Sequence, residues 1–464
     1  MTIPPEIRII VGAMLALYQS MSRPSSLVPV VLLVVSAAGF SASLEDLETK
    51  GHRVGLGDHR DKYELETYTT QSEAILPLGS GIGVEGSGRT EAYDRELAWL
   101  GLPGPVHTLD PKEVALGRDL FFDRRLSANG TLSCGMCHIP EQGFTQQELA
   151  TPVGHEGRSV RRNAPSLYNV AFRSKLFLDG REESLVAQVW SPLLAENEMA
   201  NTSRKAVLDR VIGLDDYDQR FALLYPDGIT EETLGEAIAA YQRSLTAADS
   251  RFDRWFFGGQ KMAQTQYCDT DVCVPWDAPA SADLVPLQDQ AITGFEIFQR
   301  VGCSSCHTLN QTHALFSDGH FHNTGTGFLR AYRALQPSSV QLAPGVFVAP
   351  TVSVEVERLA DAGRQEITSH AEDKWRYRTP SLRNVGVTSP YMHDGSIPTL
   401  REVVAFYNEG GGGDPNQDPR VRPLGLAEQE QEALVAFLES LTSPSIDRLV
   451  REARSTPIRD QNYR

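Results

Sequence analysis

One five-residue pattern occurs twice in this chain, as Cys134-Gly-Met-Cys137-His138 and Cys303-Ser-Ser-Cys306-His307. Cys-x-x-Cys-His is the attachment signature of c-type haem: the two thiols form thioethers with the porphyrin vinyl groups, and the adjacent His reaches the iron from its proximal face. A bare Cys-x-x-Cys would leave zinc binding and dithiol redox chemistry open. A following His, present in both copies, speaks against both. The chain is therefore expected to fold around two covalent haem c groups.

The repetition extends well beyond the two motifs. Arg162-Asn-Ala-Pro-Ser-Leu-Tyr-Asn-Val170 matches Tyr377-Arg-Thr-Pro-Ser-Leu-Arg-Asn-Val385 at an offset of 215. Without a gap, Leu178-Asp179-Gly180 then falls on His393-Asp394-Gly395, and Leu185 on Leu400. Ala237-Ile-Ala-Ala-Tyr-Gln-Arg-Ser-Leu-Thr246 likewise resembles Ala433-Leu-Val-Ala-Phe-Leu-Glu-Ser-Leu-Thr442. In both, apolar residues recur at helical spacing (Leu234, Ile238, Tyr241, Leu245; Leu434, Phe437, Leu438, Leu441). A helix is also expected before each motif, over Glu113–Phe122 and Ile292–Arg300. Each half thus reads as a helix, a haem motif, a long loop carrying distal residues, and a closing helix. The expected fold is mainly α, with two cytochrome c-type domains related by internal duplication, at 96–260 and 285–445, and a boundary between about 256 and 285.

Because the halves align, the distal side of each iron can be compared within one sequence. The offset places Tyr407, on an expected helix over 401–408, opposite Pro192. Proline has no donor atom, so the first haem is expected to have an open or weakly filled distal side. Tyr407 offers a phenolate to the second, or packs there simply as an aromatic. An open position admits peroxide or dioxygen, whereas two strong ligands favour electron transfer. Six residues beyond Pro192 lies Glu198. A carboxylate there could take a proton from bound peroxide and return it to the leaving oxygen; Glu196 is an equal candidate on spacing alone.

The remaining features concern location. Residues 27–42 form a short apolar run after Arg23 that ends in small residues, as a secretory signal does. At about sixteen residues the run is shorter than a comfortable membrane span. Residues 1–42 are thus expected to be a signal peptide or, with the apolar stretch at 8–18, an N-terminal anchor. Membrane association is expected only in that uncleaved case. Residues 43–95 read as a polar linker and 446–464 as a polar tail. Covalent haem attachment occurs outside the cytoplasm, which agrees with a periplasmic location. Of six cysteines the haem motifs use four. The other two, Cys268 and Cys273, lie in a polar loop and are expected to form a local disulfide in an exported protein. The formal charge of −17 argues against nucleic acid as a partner.

These residues, in this order, resemble the bacterial di-haem cytochrome c peroxidase and MauG family over about residues 96–445. The markers are Leu116-Gly-Arg-Asp-Leu-Phe-Phe-Asp before the first haem motif, Arg162-Asn-Ala-Pro-Ser-Leu-Tyr-Asn and Leu178-Asp-Gly-Arg after it. Tyr377-Arg-Thr-Pro-Ser-Leu-Arg-Asn-Val and Pro390-Tyr-Met-His-Asp-Gly-Ser follow in the second half. The resemblance implies that the N-terminal haem is the peroxidatic centre, with Pro192 and Glu198 lining its distal pocket, which selects Glu198 over Glu196. It implies Tyr407 as distal ligand of the C-terminal haem, as in MauG, with Met392 the rival. His155 matches the approximate place of a His that leaves the peroxidatic iron on activation. A calcium ion between the haems would take the Asn163 side chain and the carbonyls of Thr388 and Pro390; such oxygen donors suit calcium. One departure is Leu178, where many relatives carry a Trp between the haems. Leucine cannot relay electrons, so exchange would be slower or pass another aromatic such as Trp190 or Trp375.

The expected activity is therefore peroxide-dependent oxidation, with hydrogen peroxide bound at the haem on His138 and oxidising equivalents stored or relayed at the haem on His307. Electrons would come from a small cytochrome or cupredoxin, or from a residue of a partner protein. The rival reading is an electron-transfer cytochrome with both haems capped, in which His155 is a permanent ligand.

Overall fold

The structure, a computed structural model, describes residues 99–105, 108–258, 267–269, 272–274, 287–335, 340–343, 346–348, 361–457 and 459–460; within 267–274 and 332–348 it describes the backbone alone. The expected signal segment and linker lie outside these residues, as does most of the stretch that should hold the boundary.

Six helices frame the described part: α1 (Pro111–Phe122), α2 (Glu231–Ser244), α3 (Asp289–Arg300), α4 (Leu400–Asn408), α5 (Glu428–Ser440) and α6 (Ile446–Arg454). Their boundaries follow local chemistry. Asp110 caps α1 by accepting from the Lys112 amide at 2.8 Å, and Pro111 occupies the first helical position, where its missing amide is no loss. Thr230 and Thr233 form a reciprocal cap on α2, and the Thr399 hydroxyl accepts from the Glu402 amide at the start of α4. Strands are short two-stranded pairs, one of which sets Phe321 opposite Arg378 and His322 opposite Tyr377. In another, Cys268 is in register with Cys273; the side chains that would form the expected disulfide lie outside the described residues.

Each haem motif hangs from a tight crossing of two helices. A Cβ on Gly117 of α1 would lie 1.7 Å from the Ala237 carbonyl oxygen of α2, and one on Gly294 of α3 would lie 1.9 Å from that of Ala433 on α5. Only glycine lets the backbones approach so closely. A three-residue 3₁₀ turn follows in each half, over Cys134–Met136 and Cys303–Ser305.

Local geometry then recurs at the spacing of 215. Asn169 and Asn384 are both left-handed (φ 58° and 61°), and their amides donate to Leu245 and Leu441 at the ends of the closing helices. Phe177 and Met392 (φ 60° and 71°) form a further pair, as do Gly180 and Gly395 (φ 71° and 64°). Isolated bridges join Leu176 to Glu182 and Tyr391 to Ile397. Ser184 and Thr399 cap the helices that begin at Leu185 and Leu400.

Two hydrophobic cores result, and each borrows from the other half of the sequence. The first gathers Leu116, Leu120 and Phe121 of α1 with Leu234, Ile238 and Tyr241 of α2, and is completed by Leu449 and Ala453 of α6. Residues 446–464, expected as a polar tail, thus contain a helix that buries one side. Leu449 and Ala453 recur four residues apart and place two apolar side chains on one face of an otherwise charged helix. The second core unites α3 and α5 around Phe295, Phe298 and Phe437, and takes in Leu100, Phe252 and Phe257 from the first half. A buried ion pair secures that loan: Arg383 meets both Asp253 oxygens at 2.8 and 2.9 Å, with the side chains 1% and 0% exposed. The same guanidinium donates to the carbonyls of Gly101 and Ala314. All of this falls within one compact unit, Pro77–Arg464. Core contacts here join residues hundreds of positions apart, which periodicity cannot reveal.

Candidate functional site

The two motif histidines are held in the same way. His138 Nδ1 lies 2.9 Å from the Phe144 carbonyl oxygen, and His307 Nδ1 lies 2.9 Å from that of Phe316. A carbonyl only accepts, so Nδ1 carries the proton and Nε2 keeps its lone pair for a metal. Burial lowers the affinity of both rings for a second proton; the carbonyls of Phe144 and Pro165, and of Phe316 and Pro380, oppose it in part. Phe144 and Phe316 aim these carbonyls from strained left-handed positions (φ 52° and 50°). Cys134, Cys137, Cys303 and Cys306 are unpaired with one another, and burial pushes the Cys134 thiol to about 12 and Cys137 and Cys303 to about 11. Two cysteine sulfurs beside one Nε2 lone pair, in each half, match what covalent haem c requires: two sulfurs for thioethers and one imidazole for the iron.

Pro192 lies in the short helix Trp190–Leu194 and Glu198 in the turn that follows. The Met199 amide donates to the Pro192 carbonyl at 3.1 Å and the Glu198 amide to that of Ala195 at 3.0 Å. These bonds fix the turn that carries the chain from Pro192 to Glu198. Burial raises the pKa of Glu198, and the Arg181 guanidinium opposes the rise. The carboxylate in turn raises the thiols of Cys134 and Cys137, which places it in the electrostatic reach of the first haem motif. Glu196 differs: its side chain is 92% exposed and faces Arg158 at 3.8 Å. Of the two acids, only Glu198 sits in a desolvated site.

His155 is drawn to the same place. Its amide donates to the Glu198 carbonyl at 2.9 Å, and Gly154 packs so tightly that a Cβ there would lie 2.2 Å from the Asn197 carbonyl oxygen. The His155 side chain is 17% exposed, and its Nδ1 is buried without a hydrogen-bond partner.

In the second half, His307, Cys303, Cys306, Tyr407 and Met392 line one cavity of about 330 Å³. Burial pushes the Tyr407 phenol well above its ordinary range. Both rival distal residues face this cavity. Leu178 lines it too, whereas Trp190 belongs to the first core and Trp375 packs on Phe328. The aromatic pair that does face the cavity is Tyr377 stacked on His393, with ring centroids 3.9 Å apart, and the sequence reading did not name it.

The expected calcium donors also meet. Asn163 reaches Pro390, with its amide nitrogen 2.6 Å from that carbonyl oxygen, while its own Oδ1 is buried without a partner. Thr388 joins them along the cavity wall. An orphaned amide oxygen beside a carbonyl fits an oxygen-seeking cation. Sequence reading also missed a cluster of Asp318, His322 and Asp418 beside Cys306. Asp318 and Asp418 each lie 2.9 Å from a different His322 nitrogen, and His322 is raised to about 9, chiefly by the Cys306 sulfur. Among the described residues, Cys306, Asp318 and His322 are the one grouping with cation-ligand spacing. Both nitrogens of the ring are already engaged by carboxylates, so the cluster is a hydrogen-bonded brace. Among the described residues no helix is long and apolar enough to cross a membrane.

The family model for di-haem cytochrome c peroxidase matches residues 111–261. A cytochrome-c peroxidase, IdrP1, of Denitromonas iodatirespirans is 33% identical over 365 residues, which is 74% of this chain and 86% of that protein. The methylamine utilization protein MauG of Methylorubrum extorquens is 31% identical over 347 residues, 73% of this chain and 81% of that protein. Among solved structures, a MauG-like protein associated with microbial copper homeostasis superposes with a TM-score of 0.58 at 27% identity, covering 77% of this chain and 98% of that one. The diheme peroxidase BthA of Burkholderia thailandensis gives 0.55 at 26% identity, covering 74% and 88%.

Proposed function

The chain belongs to the di-haem cytochrome c peroxidase and MauG family of oxidoreductases, and we propose that it reduces hydrogen peroxide beside His138 in the periplasm. Two haems follow from the family. In this reading Cys134 and Cys137 hold one by thioethers with His138 on its iron, and Cys303 and Cys306 hold the other with His307. When bound, such a group supplies a metal that binds peroxide and accepts or stores oxidising equivalents. The recurrence of local geometry at the offset of 215 supports an internal duplication as the origin of the two sites.

The protein's own part is proton handling and control of access. Pro192 offers no ligand atom, so its side leaves room for peroxide. Glu198 takes a proton from one peroxide oxygen and delivers it to the other, which leaves as water. Two electrons and two protons complete the reduction to two waters. The electrons come from a reduced small cytochrome or cupredoxin, or from a residue of a partner protein as in a MauG-like reaction. Tyr407, which lines the same cavity as His307, would supply a phenolic ligand to the iron of the second haem, which tilts the reading towards the MauG-like output. A calcium ion held by Asn163 with the Thr388 and Pro390 carbonyls braces the region between the sites.

The observation that carries this reading is the difference between the two acids after Pro192: Glu198 is desolvated near the first motif and Glu196 is in solvent. Glu198→Gln should lower kcat/KM for peroxide by roughly 10²–10⁴, the usual worth of general acid–base catalysis, while Glu196→Gln should leave it unchanged. Equal effects would remove Glu198 from the mechanism. Turnover with reduced cytochrome c separates the two outputs, since robust turnover counts against the MauG-like one. The second reading, an electron carrier with His155 as permanent ligand, draws on the unpartnered His155 Nδ1. Two fully low-spin ferric haems, unreactive towards peroxide, would establish it.

A further inference from the structure

Two cations in the cavity of the second half, Arg378 buried and Arg173 half-buried, have no carboxylate partner among the described residues. Arg173 follows the 3₁₀ turn Val170–Phe172 in the first half, and Arg378 lies in a short strand of the second. Both line the cavity that holds His307, Cys303 and Cys306. Arg378 is 5% exposed, and its Nε and NH1 donate only to the carbonyls of Phe177 and Thr379, each at 3.2 Å. Its own amide donates to the Leu178 carbonyl at 2.8 Å, which draws the strand from 377 onto the loop that follows Arg173. No carboxylate pairs with either guanidinium among the described residues. Burial, with the repulsion of Arg378 added, lowers Arg173 to about 9; burial alone lowers Arg378 to about 10. By contrast Arg162 is neutralised by Asp179 and Asp361, and Arg383 by Asp253.

An unpaired buried charge is costly, and two of like sign in one cavity more so. Such a pair is stable only if the cavity's occupant brings anions. Guanidinium forks match carboxylates in particular, since each can bind one in bidentate fashion. A porphyrin carries two carboxylates as its only charged groups. We propose that Arg173 and Arg378 form one seat for the propionate carboxylates of the haem attached at Cys303 and Cys306, with one arginine contributed by each half of the sequence. The proposal rests on a haem at His307. It makes these arginines positioning residues that close the two halves on one cofactor and raise its reduction potential, because a nearby positive charge favours the electron-richer ferrous form.

Spectroelectrochemistry of the holo-protein tests this directly, with a haem count taken first. A wild-type count other than two would overturn the haem reading, and the seat with it. With two haems, Arg173→Gln and Arg378→Gln should each lower the midpoint potential of one haem only, shifting its reduction equilibrium about tenfold, or about 59 mV for a one-electron couple. The propionate bending bands in resonance Raman should move with it. If either Gln variant fails to fold, Arg173→Lys and Arg378→Lys serve instead: the charge and the potential should be kept, and the bands should shift as the bidentate fork is lost. Unchanged potentials and bands in the folded variants would overturn the proposal.

Discussion

Gly294 offers a test in which two principles predict opposite signs. It lies inside α3, where alanine is favoured over glycine by about 0.8–1.0 kcal/mol on intrinsic propensity. Yet a Cβ there would sit 1.9 Å from the Ala433 carbonyl oxygen, 2.6 Å from its carbon and 2.9 Å from the Phe437 Cβ. The first two obstacles are backbone, so no rotamer change relieves them. Helix α3 must retreat from α5 by roughly 1 Å, opening the packing of Phe295, Phe298 and Phe437. Overpacking of this kind costs about 1–3 kcal/mol, and a backbone obstacle belongs at the upper end. Net of propensity, Gly294→Ala should destabilise by about 2 kcal/mol, lowering the urea midpoint by roughly 0.5 M. Because Cys303 follows α3 directly, the absorption spectrum of the second haem should change as well. Gly258→Ala is the control, since nothing lies within 4 Å of a Cβ there. If Gly294→Ala unfolds at or above the wild-type midpoint with an unchanged spectrum, the close crossing does not govern this half.

Three further outcomes are expected. Glu198 acts as a base only when ionised, so kcat/KM for peroxide should rise with pH through its elevated pKa; Arg181→Met removes the cation that opposes the elevation and should move this limb to higher pH. A limb that stays in place would mean another group titrates. Asp253→Ala strands the Arg383 guanidinium in the second core and should cost about 3–5 kcal/mol in denaturant unfolding; adding Arg383→Met should recover part of the loss, because the uncompensated charge is then gone. Chelation should destabilise the wild type by about 2.7 kcal/mol if calcium stood at a hundred times its Kd, seen as a lower thermal midpoint, and should leave Asn163→Ala unaffected. An equal response in both proteins would place any calcium elsewhere.

What the sequence disclosed and what it withheld divide along chemical lines. Haem motifs, caps and repeated loops are local signals: Cys134 to His138 spans five residues, and Asp110-Pro111 marks the start of α1 within two. Aligning Pro192 with Tyr407 needed only the constant offset, and Tyr407 does line the cavity of its own motif. Glu198 could not be separated from Glu196 by pattern, because both follow the same short helix; desolvation separates them, and that is a property of the folded chain. Arg173 and Arg378 gave no signal for a related reason. An arginine in a polar loop looks like solvent-facing charge until the fold shows that no carboxylate comes near. The loan of Leu100 and Phe252 to the second core is likewise invisible to any window of sequence.

The position of α6 bears on how the protein is made. Leu449 and Ala453 complete the first core, yet about 310 residues separate Cys137 from Leu449. At synthesis rates of roughly 5–20 residues per second, the last wall of that core arrives some 15–60 s after the first haem motif has been made. During that interval the thiols of Cys134 and Cys137 belong to a structure that cannot yet close. Until that helix has arrived, the core behind the first motif lacks the wall that Leu449 and Ala453 supply. Stopping the chain at residue 445 should leave both haem motifs in place and the first half permanently unsealed.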